Sequence, residues 1–226
     1  MRFFATAVLV ARKDLLVETR SREVLYTALL FAVSCMLVFA FGLVKDGRVI
    51  ADAAGAILWI TIAFAGTLAL SRIFDRERQN ETLRALLLVP APRAAIYVGK
   101  FTGVLGLLLL VEAIVVPLVV LMFGAPLFLH PGYIVALLFA GSVGYAAVGT
   151  LFAAMLARSR GRGALLPVLL YPITVPVIIG GVRGTAALLQ PEADLAVARA
   201  WLMMLVLFDA VFITLSLWTF EPAMTE

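Results

Sequence analysis

Apolar residues along this chain of 226 residues gather into long runs divided by short polar stretches. A helix that crosses a hydrocarbon core of about 30 Å needs roughly 20 apolar residues at 1.5 Å each. Residues 24–44, 53–70, 101–123, 132–157, 164–180 and 201–220 meet or approach that length. The pattern predicts an all-α polytopic membrane protein with six spanning helices. The fifth run is the shortest. It carries Pro167, Pro172 and Pro176, which remove backbone donors and kink or break a helix, so neighbours must shield it from lipid. Gly181 to Ala200 is mixed in polarity, with Pro191, Glu192 and Asp194, and reads as a connection.

Two polar stretches carry a helical pattern of their own. From Phe74 to Leu88, Phe74, Leu83, Leu86 and Leu87 gather on one side of a helical wheel while Asp75, Arg78 and Arg84 point elsewhere, and Pro90 and Pro92 stop the run. Such an element either offers a grip to a partner protein or lies on the headgroups with its arginines toward anionic lipid. Near the start, Phe4, Val8, Ala11 and Leu15 share one side and Arg12, Lys13 and Asp14 another, which predicts a helix along the membrane surface. The stretch to Ala11 has the length of a signal-peptide apolar region, but Arg12-Lys13-Asp14 follows without a small-residue cleavage site, so it is expected to be retained.

Composition agrees with the pattern. Hydrophobic residues make up 64% of the chain and charged residues 14%, against about a quarter charged in a soluble domain. The net charge of +4 follows topology rather than a nucleic-acid partner, because the basic residues sit between the runs. Five lie before the first run, six between Arg72 and Lys100, and three between Arg158 and Arg162; only Lys45, Arg48, Arg183 and Arg199 fall on the other side. The positive-inside rule therefore places both termini and the 72–100 loop in the cytoplasm. The chain reads as one membrane domain over 1–226, with a surface segment at 1–23, a bundle at 24–220 that includes the 72–100 loop, and a tail at 221–226.

Candidate chemistry is sparse. Cys35 is the sole cysteine and His130 the sole histidine, which excludes a disulfide within the chain, a CxxC pair and a bis-histidine heme site. Glu112 and Asp209 fall well inside predicted spans, where an isolated central charge such as Asp costs roughly 2.5–3.5 kcal/mol. They belong either to a transport route or proton-sensitive gate, or to the packing as protonated or hydrogen-bonded groups. Gly99-Lys100-Phe101-Thr102 lacks the first glycine and the Ser/Thr after lysine that a phosphate loop needs. Small residues at Gly99 and Gly103, and at Ala140 and Gly144, permit close helix contacts. No run carries a zinc-binding His-Glu pair or a serine with a nearby base, so the chain is expected to be a membrane subunit rather than an enzyme, with no cofactor or metal bound by it alone.

A resemblance sharpens this picture. It rests on Lys13-Asp14-Leu15-Leu16 with Glu18 and Arg20, on Ile57-Leu58-Trp59-Ile60, and on Phe74, Glu77, Asn80, Thr82 and Leu83 running to Leu86-Leu87-Leu88. It continues through Pro90, Arg93, Ile96, Gly99-Lys100, Arg162 to Pro167, Tyr171-Pro172 and Pro176-Val177. In these residues the chain resembles the heme exporter protein B (CcmB) family, permease subunits of the ABC transporter of cytochrome c maturation. It departs from the family's frequent acidic-glycine pair before Ser/Thr-Leu, having Asn80 and Glu81 there. The resemblance implies an ABC-2-type exporter-like bundle in the bacterial inner membrane, with an N-terminal elbow helix and a coupling helix carrying Phe74, Glu77, Asn80, Thr82 and Leu83. It implies a separate ATPase (CcmA-like), a heme-handling subunit (CcmC-like), a small subunit (CcmD-like) and a periplasmic heme chaperone (CcmE-like). Heme would be handled by the complex, since Trp59, Trp201 and Trp218 are widely separated and form no tryptophan-rich heme motif. Two rival readings share the helix count: a generic ABC-2 exporter of a lipid or other small molecule, and a non-transporting membrane scaffold.

Overall fold

The amphipathic start and the six apolar runs fold as seven α-helices among the residues that the structure, a computed structural model, describes: 2–42, 44–45, 48–49, 53–79, 92–156 and 162–223. They are α1 (Arg2–Ser21), α2 (Glu23–Gly42), α3 (Ala54–Gln79), α4 (Arg93–Phe123), α5 (Pro131–Met155), α6 (Arg162–Leu189) and α7 (Leu195–Ala223). Helices α2 to α7 each contain a segment long and apolar enough to cross a membrane, so the chain is a polytopic α-helical membrane protein. Between α2 and α3, Val44–Lys45 (β1) pairs antiparallel with Arg48–Val49 (β2).

Local chemistry sets the helix ends. Gly124 closes α4 in the left-handed conformation (φ 62°) and its N–H donates to the Val120 carbonyl at 3.0 Å. Pro131 opens α5, where its missing N–H has no helical partner to lose. Asp194 accepts the Val197 N–H at 3.0 Å and caps the start of α7.

Three boundaries differ from the sequence reading, each for a physical reason. Helix α3 does not end at Leu70; it continues to Gln79, since the chain from Leu70 to Gln79 has no glycine or proline to stop it. Helix α4 begins at Arg93, directly after Pro92, so the stretch to Lys100 is helix and not loop. Helix α6 is not short: it runs through all three prolines to Leu189, and the break before α7 is only Gln190 to Asp194. Contrary to the expected shielding, Pro172 and Pro176 are exposed and Pro167 is half-buried, while α6 packs against α3, α5 and α7 through the side that carries Leu166, Leu170, Thr174 and Val177.

Helix α5 is the innermost element. Residues 140–151 are buried without interruption, and α3, α4, α6 and α7 surround it. An all-round apolar helix built of glycine, alanine and valine lets four neighbours come close. The buried core falls into two clusters. One joins Met36, Ile57, Leu58, Phe123, Leu137 and Leu188 toward the α2–α3 connection, and the other joins Leu70, Phe74, Tyr97, Leu151, Leu170 and Phe220 at the opposite end. Leu30, Val38, Phe41, Leu121, Val168 and Trp218 point outward, as acyl chains around the bundle allow.

Candidate functional site

The end of the bundle that carries the termini assembles around α4. Tyr97 packs on Phe220 of α7 with ring centroids 5.2 Å apart, and its hydroxyl donates to the Ala147 carbonyl of α5 at 3.1 Å. Arg93 reaches the Glu221 carbonyl at 3.4 Å. Phe74, near the end of α3, belongs to the same apolar cluster and is only 2% exposed. The residue expected to present itself to a partner is therefore turned into the bundle. A wheel shows that a face is apolar without showing whether it meets protein or solvent. The backbone of Glu77 continues α3, one turn beyond Phe74. Asn80, Thr82 and Leu83 lie outside the described residues.

The outer side of α4 receives α1, and glycines make that contact possible. A Cβ on Gly99 would stand 2.6 Å from Val10 Cβ and 2.7 Å from the Ala7 carbonyl oxygen, and one on Gly103 would stand 3.3 Å from Asp14 Cβ. The small pair one turn apart thus forms a groove in which Ala7, Val10 and Ala11 are buried. Phe4 and Val8 are exposed on the other side of α1, whereas Leu15, partly exposed, lies against α4, its Cδ2 3.5 Å from where a Cβ on Gly106 would stand. The expected stripe of Phe4, Val8, Ala11 and Leu15 is thus split: Ala11 faces α4 and Leu15 borders it, while Phe4 and Val8 face outward.

Within the groove Lys100, 2% exposed, donates to Asp14 Oδ2 at 2.8 Å, and Lys13 reaches Asp14 Oδ1 at the same distance. Glu18 accepts the Leu25 N–H at 2.8 Å, a carboxylate at the N-terminus of α2, where the helix dipole favours it. The turn between these helices places Arg22 at φ 52°, in a region non-glycine residues seldom occupy. Asp14, read above as part of the polar side of α1, and Glu18, quoted only within the resemblance, are thus fastenings of α1. Sequence reasoning missed the Asp14–Lys100 pair because its members stand far apart in the chain. The one available signal was a lysine beside a small-xxx-small pair, where a buried cation demands a counter-charge.

Two acids lie inside the bundle, and the structure sets them against opposite sides of α5. Glu112 of α4, 3% exposed, accepts a hydrogen bond from the Ser142 hydroxyl. Asp209 of α7, 8% exposed, places Oδ1 at 2.6 Å from where a Cβ on Gly144 would stand, so it occupies the notch that this glycine leaves. That oxygen has no hydrogen-bond partner among the described residues. Neither acid meets the other, and no charged group of the described residues pairs with them. On α3, Trp59 donates through Nε1 to Thr185 Oγ1 at 3.0 Å while its ring lies against Gly141 and Gly181. Tyr145 donates to the Ala63 carbonyl at 2.6 Å, beside Thr67. These contacts satisfy buried polar groups and tie α3, α5 and α6 together. Among the described residues no group of three or more His, Cys, Asp or Glu could hold a metal ion.

The fold and this site define a class: a six-span membrane subunit with an N-terminal helix fastened across one of its spans, and acids buried against its central helix. Over residues 5–225 the chain matches the family described as CcmB protein, and it belongs to that family. It is 31% identical to heme exporter protein B of Rhodobacter capsulatus over 193 residues, covering 81% of this chain and 85% of the relative. It is 30% identical to heme exporter protein B of Paracoccus denitrificans over 194 residues, covering 83% and 87%. The protein of the same name from Pseudomonas aeruginosa is 25% identical over 190 residues, covering 81% and 82%.

Proposed function

We propose that this chain is the membrane-spanning subunit of an ABC-type heme exporter complex that serves cytochrome c maturation. The observation that carries the reading is family membership over almost the whole chain, with relatives named heme exporter protein B covered over more than four fifths of their length. The work of such a subunit is mechanical. A separate ATPase docks on the last turn of α3 and the segment that follows it, with Glu77, Asn80, Thr82 and Leu83 as contact residues and Phe74 anchoring this region to the bundle. Nucleotide-driven movement of the ATPase then tilts α3 and α4, and the opposite face of the bundle changes so that heme is delivered or a heme-loaded chaperone is released. Heme is cargo of the assembly, handled with a CcmC-like subunit, a small CcmD-like subunit and a CcmE-like chaperone.

The orientation follows from charge: with an even number of spans and 14 of 18 Lys and Arg on one side, both termini and the α3–α4 connection face the cytoplasm. The test is depletion of the chain in its native host, followed by quantification of covalently bound heme in c-type cytochromes and in the periplasmic chaperone. Loss of heme from cytochromes while it accumulates on membrane-held chaperone is the expected result. Normal cytochrome levels together with loss of a lipid or other exported compound would replace this reading with that of a generic exporter.

A further inference from the structure

Helix α1 is fastened to the bundle chiefly along one line, the outer side of α4, and the line has an unusual make-up. Close backbone approach at Gly99 and Gly103 brings α1 against α4, and the polar contact at its centre is the pair Asp14–Lys100, with the lysine 2% exposed. A few residues away on α4, Tyr97 faces inward to Phe220 of α7 and to the Ala147 carbonyl of α5. The first turns of α4 therefore hold α1 on one side and the ends of α5 and α7 on the other. They also follow directly on the segment proposed to receive the ATPase.

We propose that the Asp14–Lys100 pair is a positioning device that makes α1 and the start of α4 one moving body, so that displacement of the α3–α4 connection shifts the surface helix together with the span. Apolar packing in the glycine groove would hold α1 to α4 but would let it slide, because dispersion contacts between small side chains are non-directional. A charge-assisted hydrogen bond between a buried ammonium and a carboxylate fixes the register, since sliding by one residue parts two ions held 2.8 Å apart. The carboxylate also engages Lys13 of its own helix, which holds its orientation toward α4. Without the pair the two helices remain in contact, but a push on α4 is taken up by slippage instead of being passed on.

This inference rests on the ATPase-coupled reading, and the experiment separates the two. Native membranes containing the whole complex are prepared with the wild-type chain, with Asp14→Asn, with the doubly neutral Asp14→Asn/Lys100→Met, with Asp14→Glu, and with the charge exchange Asp14→Lys/Lys100→Asp. Chain abundance, ATPase association, ATP hydrolysis and ATP-dependent release of heme-loaded chaperone are each measured. The doubly neutral variant is decisive, because it removes both charges of the pair together, and its abundance, measured alongside, is expected to match the wild type. It is expected to keep ATPase association and ATP hydrolysis while release per ATP falls about tenfold, in line with coupling energies of contacting pairs. Asp14→Glu and the charge exchange are expected to recover most of that loss. Wild-type release per ATP in the doubly neutral variant overturns the proposal, as does a charge exchange no better than Asp14→Asn at equal abundance. Absence of ATP-dependent release with the wild-type chain itself would instead count against the coupled reading.

Discussion

Replacing Phe74 by alanine separates the two roles this residue can have. Its ring is 2% exposed, in the cluster with Leu70, Tyr97, Leu170 and Phe220. Truncating a core phenylalanine to alanine costs about 3–5 kcal/mol, the lost transfer energy plus the cavity left behind. For a chain of this length about 1 kcal/mol corresponds to roughly 2–4 °C in midpoint, so the expected fall is roughly 6–20 °C. Phe74→Leu keeps most of the volume and should cost about 1–2 kcal/mol. The assay is thermal unfolding of the purified chain in mild detergent, followed by tryptophan fluorescence. ATPase co-purification is measured alongside, well below both midpoints and normalised to folded chain. Phe74→Ala should lower the midpoint and still retain the ATPase per folded molecule. An unchanged midpoint with loss of the ATPase would refute the inward packing and make the ring a surface contact.

Other expectations follow from close contacts inside the bundle. Gly141→Ala and Gly181→Ala each push a methyl into the Trp59 ring and should destabilise by about 1–3 kcal/mol, read as a lower unfolding midpoint; midpoints equal to wild type would contradict the packing. Asp209→Asn keeps the shape that fills the Gly144 notch and should leave the midpoint within a few degrees, whereas Gly144→Ala forces the carboxyl aside and should lower it clearly. Equal effects of these two changes would show that the notch is not occupied as described. For topology, reporter fusions after Phe128 and after the C-terminal residue should report opposite sides of the membrane, the second cytoplasmic, and the reverse pattern would contradict the charge argument.

How far the sequence revealed this arrangement depended on the range of the interaction. Six spans were legible because each is a local run whose length matches the hydrocarbon core, and their ends were legible where Gly124 and Pro131 act on their own neighbours. Helix α6 was misjudged because proline's effect was weighed locally, while the packing of Leu166, Leu170, Thr174 and Val177 that holds the helix together comes from α3, α5 and α7. Gly99 and Gly103 were readable as small residues suited to close contact, but that the visitor is α1, bringing Asp14 to Lys100, depends on two segments 86 residues apart. Glu112 and Asp209 were visible as costly charges, and their supports, Ser142 and Gly144, lie on a third helix that no periodicity connects to them. Phe74 shows the limit of amphipathic patterns: the apolar face was there, and tertiary packing decided where it pointed.

The central claim, that this chain works as the membrane subunit of a heme exporter, is tested most directly by purifying the tagged chain from native membranes in mild detergent. Co-purifying proteins are identified by mass spectrometry, and a heme absorbance spectrum is recorded on the same sample. An ATPase together with a tryptophan-rich heme-handling membrane subunit is expected, with a heme spectrum that scales with the latter. Recovery of an ATPase alone, with no heme and no heme-handling partner, would contradict the claim.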